Sequence, residues 1–395
     1  MDADQIRSLI KQLSELGEKA SNGEQNARME ALQLSRKLSN SLEKPENVAV
    51  DLAFSPFVAV AARIAVDLNL FKLIVDHGRP ITSVELASLS RGEELLIVRI
   101  LRPLASLGFV KEVDNQTWIA TPVTKAMATE EIAAGHRMVG EMIVGAAHKA
   151  PNYLREAGYR CPTDPHDGLM QYAFQTKLTT FELFTSRPQV LKDFNTFMGN
   201  TMGAREYWVD WFPVKERLLG DVAIAADSPL LVDVGAGKGH DLLAFRSKYP
   251  HIEGRLILQD LAPVISSIQI VDPAIELMTY DFFTEQPVTG ARAYFYHHIL
   301  HDWSDGHCLT ILSQVKKAMR PGYSKLLLHE MIIPESGAPL FHAMLDMTMM
   351  AFNGGMERTQ RQWQLLLEKA GLKVVRFWPP LESGADGIIE AMSNE

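Results

Sequence analysis

Apolar residues recur every three to four positions through most of the first 225 residues, and beyond residue 229 that rhythm gives way to short apolar runs. Ile6, Leu9, Ile10, Leu13 and Leu16 keep helical spacing in an otherwise polar stretch. They predict helix up to about residue 45, where Pro45 ends it. FVAVAARIAVDLNLFKLI continues with the same period. ITSVELASLS opens on Thr82 or Ser83 as N-cap, with Glu85 following. LLIVRILRPLASLGFV is a further amphipathic helix, stopped at Gly108.

FVKEVDNQTWIATP then reads as two short strands joined at Asp114–Asn115. Helices followed by a two-stranded wing make a winged-helix pattern. Its readings are DNA binding and a structural or dimerising module. Residues 130–225 read as mostly helical and carry Phe174, Phe181, Phe184, Met198, Met202, Trp208 and Trp211. Such residues fill a core or line an apolar pocket, and periodicity does not separate the two.

From residue 229, PLLVDVGAG, GRLILQD, IELMTYDF, ARAYFYHHIL and YSKLLLHEMII read as strands, with helices such as HDLLAFRSKY and HCLTILSQVKKAM between them. This alternation predicts a mostly parallel sheet covered by helices, an α/β fold. GLKVVRFWPP and GIIEAM add a final strand pair. The expected organisation is a helical extension over 1–45, a winged-helix-like domain over 46–165, and linking helices with the α/β domain over 166–395.

Composition narrows the function. The chain has 395 residues, 47% hydrophobic and 22% charged, with a net charge of -9. That balance disfavours a nucleic-acid surface. Its two cysteines, Cys161 and Cys308, build neither a disulfide framework nor a four-cysteine zinc site. The N-terminus lacks a secretory apolar core, and no stretch reaches the roughly 20 apolar residues that span a bilayer. A cytoplasmic protein without membrane or nucleic-acid partners is expected.

LVDVGAGKGHDL places Gly235, Gly237 and Gly239 in the turn between the first strand and its helix. Glycine permits positive φ and close approach of a ligand to the backbone. The spacing is GxGxG rather than the nicotinamide GxGxxG. Asp233 ends the strand, and an acid there suits an ammonium group better than a pyrophosphate. The second strand ends in Asp260, well placed for ribose hydroxyls, and the third in Asp281–Phe282, suited to an adenine edge and face. Three acids at successive strand ends point to an adenosyl cofactor with an amino-acid tail, S-adenosyl-L-methionine.

HHILHDWSD, residues 297–305, follows the fourth strand and so lies on the same rim. On a helix, His297 and His301 would stand one turn apart and suit zinc, but the HExxH context is missing. A general base is the other reading. Glu330 ends the strand LLLHE, and Glu357 lies in the glycine turn NGGMERTQ. A histidine oriented by a carboxylate is the usual form of a general base.

DVGAGKG, LQDL, YDFF, HHILHDWSD, HEMIIP and NGGMERT, in this order, resemble the class I methyltransferase core of plant and fungal small-molecule O-methyltransferases, the plant caffeic-acid enzymes among them. The resemblance extends through most of the chain and includes a dimerising winged-helix half. It implies a Rossmann-like catalytic domain, S-adenosyl-L-methionine as cofactor, a homodimer, and a base, His301, flanked by Glu330 and Glu357. It implies cofactor contacts from Asp233, Gly235, Gly237, Asp260, Leu261, Asp281, Phe282 and His297. Substrate contacts would come from Met198, Trp208, Asp302, Met347, Met350 and Phe352. No metal is implied. The family loop is more often GGG, and Ala236 is a small change that keeps the turn possible.

The function so implied is methyl transfer to a phenolic or enolic hydroxyl of a small aromatic or polyketide-type metabolite. Two alternatives stand beside it. One is a pericyclase or dehydratase of the same fold that binds the cofactor without methyl transfer. The other is a non-catalytic winged-helix regulator.

Overall fold

Asn22 and Gly23 interrupt the first amphipathic run, so the polar N-terminal segment forms two helices, Ala3–Ser21 and Gln25–Leu42, packed along each other. The computed structural model describes residues 3–201, 207–220, 224–268, 272–380 and 385–393. Pro45 ends this segment and also begins the next helix, Pro45–Phe54, at the first position, where its missing N–H is no loss. The chain divides into two compact units, residues 1–129 and 130–395.

In the first unit, Asn69 at φ 55° splits the predicted long helix into Pro56–Asp67 and Leu70–His77. Helix Ser83–Ser90 opens on the expected capping box. The Glu85 N–H donates to Thr82 Oγ1 at 3.2 Å, and Glu85 Oε2 accepts from the Thr82 N–H at 2.8 Å. Helix Glu94–Ser106 stops before Gly108, whose φ is 77°. Strands β1 (Ile81–Thr82), β2 (Val110–Asp114) and β3 (Thr117–Ala120) form an antiparallel sheet in the order β1-β3-β2. Trp118 is buried in it and donates Nε1–H to Ser83 Oγ at 2.9 Å. The wing is therefore as the sequence predicts. Helix Pro45–Phe54 buries none of its residues: Val48, Val50, Leu52 and Phe54 are exposed, as are Phe57 and Val60 beyond it.

The second unit starts earlier than the expected boundary at 165/166. Helix Glu130–Met138 packs on helix Pro188–Thr201, and the Arg137 guanidinium donates to both oxygens of the buried Asp193 carboxylate, at 2.7 and 3.1 Å. The helices around residues 138–190 enclose an apolar cluster that includes Met142, Phe184 and Phe352, so they belong with the sheet that follows. The expected boundary at 45/46 likewise falls inside the first unit.

The central sheet holds β4 (Pro229–Val234), β5 (Arg255–Asp260), β6 (Ile275–Thr279), β7 (Ala293–His297), β8 (Lys325–Glu330), β11 (Leu372–Trp378) and β12 (Gly387–Ser393). Two short strands, β9 (Ile332–Ile333) and β10 (Arg358–Thr359), pair separately and in parallel. The order in the sheet is β11-β12-β8-β7-β4-β5-β6, and only β12 runs antiparallel to its neighbours. Alternate residues serve two apolar layers. Tyr294, Tyr296, Leu326 and Leu328 face the layer of Ile311, Val315 and Trp363. Phe295, Leu327 and Leu258 face the layer of Trp208 and Phe245. Burial on both faces explains why these strands read as continuous apolar runs.

This topology brings the carboxyl ends of β4, β5, β6, β7 and β8 to one rim, together with the start of β12. The helix Leu340–Asn353 ends above it in a tight turn, with Gly354 at φ 69°. Asn353 bridges Trp303, and the Met356 N–H donates to the His301 carbonyl at 2.9 Å. A Cβ on Gly355 would lie 2.1 Å from the His301 carbonyl oxygen and 2.5 Å from the Asp302 carbonyl carbon. Both are backbone atoms that cannot swing aside. Gly355→Ala should therefore cost about 1–3 kcal/mol of stability, read as a lower urea midpoint. An unchanged midpoint would show that this turn opens freely.

Candidate active site

HHILHDWSD is not one helix. His297 closes β7, His298 turns the chain, and Leu300–Asp302 form a single buried 3₁₀ turn. His297 and His301 therefore lack the one-turn helical relation that the zinc reading needs, and each meets its own carboxylate. His297 Nδ1 is 2.7 Å from Asp241 Oδ2, and His301 Nδ1 is 2.8 Å from Glu357 Oε1.

The turn that carries His301 is fixed from three sides. Glu330, fully buried at the end of β8, accepts the Leu300 N–H on Oε1 at 2.9 Å and the Ile299 N–H at 3.3 Å. Arg358, also fully buried, donates to the carbonyls of Leu300 (3.1 Å) and Trp303 (2.9 Å) and to Asp305 (2.8 Å). Glu357 is set by its own N–H, which donates to Asp346 Oδ1 at 2.8 Å. Two more carboxylate oxygens lie near the ring. Glu330 Oε2 is 4.0 Å from Nδ1, and Asp302 Oδ1 is 3.8 Å from Nε2.

Burial acts against charge on His301, but Asp302, Glu357 and Glu330 outweigh it and push the imidazolium up to about 10. Burial dominates for the carboxyls. It pushes Glu330 up to about 7 and Asp302 up to about 6, with the His301 cation pulling both back. Glu330 and Asp302 thus give up their charge more readily here, while His301 keeps its own. The arrangement holds a proton strongly at His301.

The glycine loop sits at the neighbouring strand end. Gly235 has φ 72°, and a Cβ on it would fall 2.5 Å from Ile299 Cδ1. Gly237 has φ 55° and open space where a side chain would stand. Its N–H donates to Asp260 Oδ2 at 2.8 Å, while Asp260 Oδ1 accepts the Leu261 N–H at 2.7 Å. Asp281 Oδ1 accepts the Phe283 N–H at 3.0 Å, next to the half-buried Phe282 ring. Asp233 is buried, and among the described residues its Oδ2 has no hydrogen-bond partner. His297 also keeps a buried, unpartnered Nε2. Burial opposes its charge, yet Asp241 prevails and pushes it up to about 9.

The expected substrate contacts divide. Asp302 adjoins His301. Met347 and Met350 lie on helix Leu340–Asn353, the first exposed and the second half-buried, and Met198 is half-buried on Pro188–Thr201. Phe352 is buried against Phe184, with ring centroids 5.7 Å apart. Trp208 is a correction. It is fully buried and stacked on Phe295 (4.7 Å) and Phe245 (5.9 Å), so it is core between sheet and helix. An aromatic residue in a helical stretch carries no mark of which side it fills. Met202 lies outside the described residues. Sequence reasoning missed Asp241, Asp346, Arg358 and Asp386. Arg358 stands next to Glu357 in NGGMERT, and Asp241 is in the first turn after the glycine loop, so position was the available signal for both.

Residues 50–130 match the family model of an O-methyltransferase dimerisation domain, and residues 172–373 match that of an O-methyltransferase domain. The chain is 53% identical over 367 residues to O-methyltransferase penC of Penicillium thymicola, covering 93% of this chain and 91% of that protein. Among solved structures it is similar to one titled "A Pericyclic Reaction enzyme", with TM-score 0.87 and 30% identity, covering 99% of this chain and all of that one (100%). It is equally similar to LepI in complex with SAM, with TM-score 0.86 and 30% identity, at 99% and 100% coverage.

The raised affinity of His301 for a proton also links to stability. Its contribution is fully present below the ordinary histidine value of 6.5 and is lost as pH rises through about 10. Histidine side-chain nitrogen NMR on the intact protein should show His301 doubly protonated at pH 8, with Glu357→Gln shifting its titration to lower pH. A His301 midpoint at or below its ordinary value would contradict this account of the site.

Proposed function

The chain belongs to the O-methyltransferase family, and we propose that it methylates a phenolic or enolic hydroxyl of an aromatic or polyketide-type secondary metabolite with His301 as the base. It is an enzyme, and its cofactor is S-adenosyl-L-methionine. The observation that carries the assignment of the base is the His301 Nδ1–Glu357 Oε1 contact of 2.8 Å inside a buried carboxylate cluster.

The rim fits the cofactor. The unpartnered buried oxygen of Asp233 is what an ammonium group satisfies. The open side of Gly237 leaves room for close backbone approach. Asp260 stands at the second strand end for ribose hydroxyls, with Gly235 and Leu261 beside it. Asp281 and Phe282 serve an adenine edge and face, and His297 adds a positive charge at the fourth strand. When bound, the cofactor supplies a methyl group on a positively charged sulfur.

The protein's own part is to orient the hydroxyl and take its proton. With Nδ1 held by Glu357, Nε2 of the neutral ring, the minor form below about pH 10, is the atom that accepts it. A phenol has a pKa of about 10, and an ordinary imidazolium stands about 3.5 units lower, so that transfer would be uphill by roughly 5 kcal/mol. The three carboxylates lift His301 to about 10 and bring the two proton sites level. Glu357 keeps the ring in the right tautomer and stabilises the cation that forms, as an acid does for other catalytic histidines. Met347 and Met350, with Asp302, are the proposed neighbours of a flat apolar substrate.

A pericyclic function without methyl transfer is the weaker reading. Relatedness to penC at 53% identity exceeds the 30% shared with the pericyclic enzyme. A base matched to a phenol also has a purpose in methyl transfer. Incubation with cofactor carrying a deuterated methyl group and a panel of phenols and enols should give a product heavier by that methyl. His301→Ala should abolish turnover while leaving cofactor affinity near normal. An isomerised or dehydrated product with the cofactor intact would reject methyl transfer.

The matched dimerisation domain and the bare apolar helix Pro45–Phe54 support a homodimer. Among the described residues no single helix is long and apolar enough to cross a membrane. A second copy is the proposed cover for Leu52, Phe54 and Phe57. Leu52→Asp with Phe54→Asp should shift the mass by light scattering from dimer to monomer. A dimer that persists would move the interface elsewhere.

A further inference from the structure

Next to the base lies a second acid–histidine pair that methyl transfer, as described, does not use. His298 follows β7 with φ 52°, a left-handed conformation that a side chain rarely adopts unless its surroundings enforce it. That turn lays its ring against the ring of His301, centroids 4.9 Å apart and planes within 20°. Its Nε2 lies 3.0 Å from Asp386 Oδ1; Asp386 is buried and His298 is largely so. Asp386 reaches this point only because β12 is antiparallel. Its first residue, Gly387, pairs with Glu330, so the residue before it arrives at the rim where β7 and β8 end.

We propose that His298, held by Asp386, is a positioning residue for His301: its ring face fixes the plane of the base and keeps Nδ1 on Glu357. This rests on the reading of His301 as the base.

The groups facing His298 bear on its charge. His297 (centroids 4.6 Å) and His301 flank it, His329 stacks beyond His297 at 4.1 Å, and Asp386, Asp241 and Asp233 lie around them. Burial lowers His298 below the ordinary histidine range, Asp386 opposes that, and His297 and His301 push it down further. For Asp386, burial is outweighed by the surrounding histidines, and it stays ionised. His298 is thus a neutral ring between two imidazolium ions. A neutral aromatic face beside a cation is attractive, whereas a third cation in the row would repel both. Nε2 meets Asp386 Oδ1 at 3.0 Å without the alignment of a hydrogen bond, and the buried carboxylate blocks the ring from rotating out of the stack.

The test uses the full-length enzyme and the phenol converted in the labelled-methyl assay. His298→Asn keeps a residue that tolerates positive φ and a polar group toward Asp386, but removes the ring. It should lower kcat by about 10- to 100-fold, leave KM for the phenol and cofactor affinity unchanged, and move the ascending limb of the kcat–pH profile, which reports the base, to lower pH. Asp386→Asn, which keeps the ring, should move both in the same direction by less. Side-chain nitrogen NMR of the wild type should show His298 neutral at pH 7. Wild-type kcat and profile in both variants would overturn the proposal, as would a charged His298 or a rate loss explained wholly by lost cofactor affinity. Turnover in His301→Ala would reject the base itself. A dead His301→Ala beside a wild-type His298→Asn would reject the positioning role alone.

Discussion

The site depends on one imbalance, an imidazole buried among three carboxyls. Burial alone would strip the ring of its charge, and it would protonate the acids as well. Placed together, they let one cation satisfy several partial demands at once. Glu357 at 2.8 Å takes the hydrogen bond, while Glu330 and Asp302 act through distance. Glu330 has a second task, since its other oxygen ties two backbone N–H groups of the turn that presents His301. Removing such a group would disturb charge and geometry together, which is why no apolar isostere could replace it.

The sheet supplies the geometry. Parallel strands β4, β5, β6, β7 and β8 end on one rim, so consecutive segments deliver Asp233, Asp260, Asp281, His297 and Glu330 to one crevice. The reversed strand β12 adds an acid from its opposite end, Asp386. The close approach of the NGG turn completes the enclosure. Glycine at 355 lets the turn touch the His301 carbonyl, and Arg358 locks it by satisfying carbonyls that the short 3₁₀ turn leaves open. A buried guanidinium with five N–H donors suits this work, because a lysine would reach one or two of those oxygens.

Much of this was legible in the chain. The strand runs of the α/β domain, the capping box at Thr82–Glu85, the glycine loop and the acids at strand ends follow local rules of spacing and chemistry. So do His301 and Glu330 as residues of one rim, whereas Glu357 joined them through the family resemblance, and its contact with His301 required the tertiary fold. What stayed hidden depends on packing between distant segments. Trp208 read as a pocket residue because a helix does not announce which layer it faces. The helices from residue 130 read as part of the N-terminal half because the Arg137–Asp193 pair that joins them to the later helices spans 56 positions. Asp386 was silent because its meaning comes from the direction of a strand, which residue pattern does not encode.

The row of rings explains why so many histidines gather where one would serve as a base. His297 is charged against Asp241, His301 against its three carboxyls, and both lie within 5 Å of His298. Two cations this close would repel strongly in a buried site if nothing stood between them. A neutral His298 separates them with a polarisable face, and His329, held well below its ordinary range by burial and by His297, lies uncharged beside His297. Charge therefore alternates along the cluster instead of accumulating. On the proposed reading, the cation at His297 belongs to the cofactor side of the rim and the cation at His301 to the substrate side. On that reading one strand end serves two charges with a neutral ring between them.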